Sequence, residues 1–300
     1  MTPCRTTQRK ALIDGCRSTF RISIRPFLIH IQRSPTSVAM SLTPDTLTTE
    51  FERTHAALKS YILRITANKQ DAEDIVQETW ICAHRSLENF KGESTVKTWL
   101  FAIAQNIARD HLRSLKRWPE DVGDICKEAA MGDQEFFREA MTIRHTSPQG
   151  QFEIREHIAF CFTCIARSLE PEAQAALVVR EVLGFSNEES AAILGVSEPV
   201  FRHRLSGARR HMAESYEGLC ALINKQGVCH QCKGLREWTG EANRGADLVE
   251  IQVAPGKALT VDNLLDARIA IARASDLEEG KSAPMHRAFY KDIERRESQR

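Results

Sequence analysis

Residues 186–212 read SNEESAAILGVSEPVFRHRLSGARRHM, and the fold turns on this stretch. Ser186 followed three residues later by Glu189 is a capping box, in which each residue's side chain satisfies the other's backbone N–H, so a helix starts here and runs to Leu194. Gly195-Val196-Ser197 makes the turn, and Glu198-Pro199 opens a second helix, since proline is tolerated in a first turn. In that helix Phe201, Leu205, Ala208 and Met212 share one apolar face. The outer face then carries Arg202, His203, Ser206, Arg209 and Arg210, with Arg204 at the flank. Cations on the exposed side of a helix behind a tight turn suit the major groove of duplex DNA.

Upstream, residues 43–118 also have helical spacing: Leu47, Phe51, Leu58, Tyr61, Ile62 and Ile65 recur three and four apart, and glycine occurs only at Gly92. Within Asp71-Ala72-Glu73-Asp74-Ile75-Val76-Gln77-Glu78-Thr79-Trp80, the residues Ile75 and Thr79, continued by Ala83 and Leu87, form a buried stripe. Asp71, Asp74 and Glu78 share another face with Gln77 beside it. Two readings of that acidic face are open: a solvated helix start favoured by the helix dipole, or a docking face for a basic partner. The loop Phe90 to Thr98 leads into a helix with apolar Trp99, Ile103, Ile107 and Leu112. The opposite side is expected to present Gln105, Asn106, Arg109, Arg113, Lys116 and Arg117, suited to phosphates through charge and to base edges through the amides.

The expected fold class is all-α, with two small helical domains, 43–118 and 151–223, joined by an acidic linker over 119–150. A basic arm over 1–40 precedes them, read as disordered or as the product of a start placed upstream of Met40. A mostly irregular, Cys-bearing extension follows over 224–300, with a strand suggested only at 248–253. The chain of 300 residues has 41 Lys and Arg against 40 Asp and Glu, so local charge matters more than the total. No apolar run approaches the 18 or so residues that cross a bilayer, and nine cysteines without a secretory leader suit a reducing compartment, the cytoplasm. A phosphate-binding glycine loop, an HExxH pair and a GxSxG elbow are all missing from the sequence, so an enzyme is not expected.

DAEDIVQETW (71–80) followed by SLENFKGESTVKTWLFAIAQNIARDHLR (86–113) resembles region 2 of the extracytoplasmic-function (ECF) sigma factors. LEPEAQAALVVREVLGFSNEESAAILGVSEPVFRHRLSGARRHM (169–212) is similar to their region 4. The resemblance implies a non-catalytic subunit that gives core RNA polymerase its promoter specificity. It assigns Asp71, Asp74, Gln77 and Glu78 to the clamp helices of the largest polymerase subunit. Strand opening and capture of a flipped base at the minus-10 element fall to Phe90, Lys97, Asn106, Arg109, Arg113, Lys116 and Arg117. Reading of the minus-35 element falls to Arg202, His203, Arg204, Ser206, Arg209 and Arg210. The implied partners are core polymerase, including its flap, promoter DNA and an anti-sigma factor, with no membrane. The chain departs from the family at Pro199-Val200-Phe201 and at Gly207, where a glycine replaces a frequent arginine. A helix-turn-helix regulator that senses metal or redox state through its cysteines is the alternative.

The family pattern requires no cofactor. The pairs Cys161/Cys164 and Cys229/Cys232, with Cys220, His230 and His211 nearby in sequence, have the ligand types of a zinc or other thiophilic-metal site. A thiol redox switch and plain core packing are the other open readings, and core packing is expected for Cys82 and Cys126.

Overall fold

The computed structural model describes residues 42–114, 118, 148–219, 261–275, 277 and 293, and all its regular structure there is helical. The basic arm, most of the acidic linker with Cys126, and the 248–253 strand lie outside the described residues, as do Lys116, Arg117, Cys220, Cys229, His230 and Cys232.

Helix α1 is Pro44–Thr66, α2 is Lys69–Arg85 and α3 is Val96–Ser114. Each start is set locally. The Thr43 side chain accepts from Thr46 N with Pro44 in the first turn, and the Asn68 side chain accepts from the N–H groups of Gln70 and Asp71. Thr95 Oγ1 accepts from Thr98 N at 3.1 Å. Helix α1 stops at Ala67, which takes the left-handed conformation at φ 57°. The three helices pack on one another through Leu58, Tyr61, Ile62, Ile75, Val76, Ala83, Leu100, Phe101 and Ile103.

The second module comprises α4 (Pro148–Ala166), α5 (Pro171–Leu177), a π turn (Val178–Val182), α6 (Asn187–Leu194) and α7 (Glu198–Leu219). The capping box forms as the sequence predicts: Glu189 N donates to Ser186 Oγ at 3.1 Å, and Ser186 N donates to Glu189 Oε2 at 2.9 Å. Gly195 closes α6 at φ 64°, a conformation that favours glycine. Phe201, Ala208 and Met212 face the core. Gly207 has open space where a side chain would stand.

Two features go beyond the sequence reading. The modules share one core: α3 packs on α6, and the π turn delivers Phe185 onto Phe101, ring centroids 4.9 Å apart. Gln174, fully buried, donates from Nε2 to the carbonyls of Arg64 and Ile65 at 3.0 and 3.2 Å, so the second module satisfies carbonyls at the C-terminal end of α1. The C-terminal extension also contains a helix, α8 (Val261–Ala274), packed on α4, α7 and the π turn with Leu265, Ile269 and Ala272 in the shared core. Ile293 is buried in a smaller cluster with Ala67, Trp118, Phe160 and Cys164.

Candidate nucleic-acid interface

On α2, only part of the acidic face is open to a partner. Asp74 and Gln77 are exposed, and Asp74 accepts from Gln70 Nε2 at 3.2 Å. Asp71 leans toward α3 and meets His111 Nε2 at 3.0 Å. Glu78 is half-buried. Burial pushes its carboxyl above the usual 4.5, with the charge of His111 acting in the opposite direction.

A carboxyl whose folded pKa is raised gives stability below its unfolded pKa and loses it as pH rises through the folded value, so ionised Glu78 costs stability. Glu78→Gln is therefore expected to melt no lower than wild type near pH 7, its advantage shrinking as pH falls toward about 4. Thermal melts across that range check it. A melting temperature for the variant well below wild type at pH 7 would show that the carboxylate is stabilising instead.

The loop before α3 begins with a 3₁₀ turn, Leu87–Asn89, and places the ring of Phe90 against Trp99 at 5.2 Å between centroids. Lys91, Glu93 and Thr95 are exposed around Gly92, which sits at φ 67°. Lys97 reaches across to the second module, its ammonium 4.4 Å from the Phe185 ring centroid. Along α3, Asn106 Oδ1 accepts from Arg109 Nη2 at 2.9 Å, and both residues are half-buried. Arg113 is exposed and pairs with Asp110 at 3.3 Å, a surface contact of little energetic weight.

Gln105 corrects the sequence reading. It is buried and accepts a hydrogen bond from the hydroxyl of Tyr61, itself fully buried with its phenol pushed up by desolvation. An amide expected on the polar face of α3 instead completes the core.

Helix α7 presents Arg202, His203, Ser206 and Arg210 to solvent, with Arg204 half-buried. Arg202 pairs with Glu198 one turn earlier. Arg209 differs from the sequence expectation: it turns inward, donating from Nη1 to Glu181 at 2.9 Å and from Nη2 to Asp266 of α8 at 2.6 Å. Burial acts against its charge, but the hydrogen bonds and charges of Asp266 and Glu181 outweigh it and hold the guanidinium protonated. Neither acid was legible as a partner, because both lie far from Arg209 in sequence.

Cys82 is buried in the core as expected. Cys164 is buried with Phe160 and Trp118, and Cys161 is half-buried one turn away. Among the described residues no group of three or more His, Cys, Asp or Glu is placed to hold a metal ion, and no helix is long and apolar enough to cross a membrane.

A family model for Sigma-70 region 2 matches residues 51–118, and one for Sigma-70, region 4 matches residues 159–212. The RNA polymerase sigma-H factor of Pseudomonas aeruginosa is 31% identical over 158 residues, which are 53% of this chain and 79% of that protein. The chain belongs to the ECF sigma-factor family. The ECF RNA polymerase sigma-E factor of Haemophilus influenzae is 31% identical over 153 residues, 51% of this sigma factor and 78% of the relative. A solved structure of CnrH in complex with the cytosolic domain of CnrY aligns with a TM-score of 0.39 and 21% identity, covering 56% of this sigma factor and 86% of that chain. The matched regions run from α1 to the end of α3 and along α4 to α7, whereas α8 lies beyond both.

Proposed function

We propose that this sigma factor works in the cytoplasm through three surfaces. Asp74 and Gln77, with Asp71 and Glu78 behind them, engage the basic side of core RNA polymerase. The Phe90 to Thr98 loop, with Asn106, Arg109 and Arg113 on α3, holds the opened minus-10 strand; Lys116 and Arg117 extend that basic run in sequence. Arg202, His203, Ser206 and Arg210 enter the minus-35 major groove, flanked by Arg204. Phosphodiester chemistry stays with the polymerase, and the sigma factor contributes binding energy and base selection.

The observation that carries this reading is the exposed basic face of α7, set by the capping box and the Gly195 turn. Arg202 and Arg210 stand in solvent on that face with His203 and Ser206 beside them, two fixed cations flanked by hydrogen-bonding groups of the kind a groove-reading helix uses. Extruding a base costs a few kcal/mol, so a loop that rewards the right base couples opening to recognition.

Reconstituted transcription tests the reading: the chain is mixed with core polymerase and initiation is mapped on genomic fragments. Asp74→Arg is expected to weaken core binding by at least about 2 kcal/mol, roughly thirtyfold, because it sets like charges against each other. A chain that binds duplex DNA but neither binds core polymerase nor initiates with it would instead be a helix-turn-helix regulator.

A further inference from the structure

Helix α8 lies outside both family regions, yet it makes specific contacts with both modules. From the first module, the Arg64 side chain is 2% exposed and donates from Nη2 to the carbonyls of Ala272 and Ser275 at 2.6 and 2.7 Å. Those carbonyls sit at the C-terminal end of α8, where acceptors lack intrahelical partners and a cation is favoured. From the second module, Arg209 donates to Asp266 and Tyr216 lies 4.2 Å beneath the Arg268 guanidinium. Arg273 donates from Nε to the Glu181 carbonyl at 3.0 Å. Helix packing alone needs the apolar stripe of Leu265, Ile269 and Ala272; the polar contacts add a fixed register and tie α8 to both halves at once.

The arrangement also limits what the molecule can do. The two promoter elements are named for positions about 25 base pairs apart, on the order of 80 Å of duplex at about 3.4 Å per pair. Here α3 and α6 are in direct contact and Phe101 touches Phe185, so the minus-10 and minus-35 surfaces cannot span that length. The modules must separate to engage both elements, and α8 opposes the separation.

We infer that α8 is an intramolecular clasp that holds the two modules closed and withholds Arg209 from DNA. The inference rests on the reading of α7 as a DNA-contacting helix. Release of α8 removes one of the two carboxylates that hold Arg209, so that a phosphate has only the Glu181 pair left to displace, and lets region 4 move away from region 2.

The test uses the full chain carrying Asp266→Asn with Arg273→Gln, two exposed positions whose changes cancel in net charge. Hydrogen exchange is followed at residues 261–275, and affinity is measured for a short random-sequence duplex over a salt series. In wild type, α8 amides are protected. In the variant they exchange at least about tenfold faster, duplex affinity rises about fivefold to tenfold, and the slope of log affinity against log salt steepens by about one, as expected for one freed phosphate contact. Adding Arg209→Ala cancels the gain.

Unprotected α8 amides in wild type, unchanged exchange in the variant, faster exchange with no gain in affinity, or a gain that survives Arg209→Ala would each overturn the clasp. Core polymerase binding, measured separately on wild type, decides the sigma-factor assignment. Its failure leaves the exchange and duplex results to decide the clasp on their own.

Discussion

Phe101→Ala is expected to cost about 3–5 kcal/mol of folding stability, the range for removing a fully buried phenyl ring. The ring has no exposed surface and lies 5.6 Å from the centroid of Tyr61 and 4.9 Å from that of Phe185. Each such aromatic pair adds about 0.5–1.5 kcal/mol beyond area burial. Because Tyr61 belongs to α1 and Phe185 to the second module, the loss falls on both modules. Wild type should unfold in urea as one cooperative transition by tryptophan fluorescence and by far-ultraviolet dichroism. The variant should unfold at lower urea, with the two probes separating as the modules uncouple. A loss under about 1 kcal/mol, or coincident probes in the variant, would mean that Phe101 does not carry the contact between modules.

The parts legible in the sequence are those decided within one or two turns of chain. Ser186 and Glu189 specify a helix start because both hydrogen bonds close over three residues, and Gly195 marks its end because the left-handed conformation there disfavours a side chain. The stripe of Ile75, Thr79 and Ala83 is likewise visible from spacing alone.

What escaped depends on distant partners. Gln105 has the same helical spacing as the outward polar residues of α3, and only the hydroxyl of Tyr61, 44 residues away, makes its burial acceptable. Arg209 lies among outward cations, and its acids are 28 and 57 residues away. For α8 a signal did exist, since Leu265, Ile269 and Ala272 fall at i, i+4 and i+7. The extension is nevertheless expected to be mostly irregular, and the structure shows what the spacing alone does not: long apolar-stemmed cations such as Arg268 and Arg273 pack beside that stripe once a ring or a carbonyl receives them.

Arg202→Ala combined with Arg210→Ala is expected to lower affinity for the minus-35 duplex roughly a hundredfold to a thousandfold, since each arginine that contacts a base edge or phosphate contributes about 1–3 kcal/mol. Among the described residues Arg202 pairs with Glu198 one turn earlier, an exposed i,i+4 ion pair of a few tenths of a kcal/mol, which DNA can displace at little cost. Arg210 is exposed on the same outer face. Arg209 is held between two carboxylates, and both charged contacts must break before it reaches a phosphate. Arg209→Ala alone in the full chain is therefore expected to change duplex affinity less than threefold, far less than either outward arginine. Fluorescence anisotropy on a labelled duplex separates these cases. If the double variant binds within threefold of wild type, or if Arg209→Ala is the more damaging change, the outward face of α7 is not the groove-reading surface.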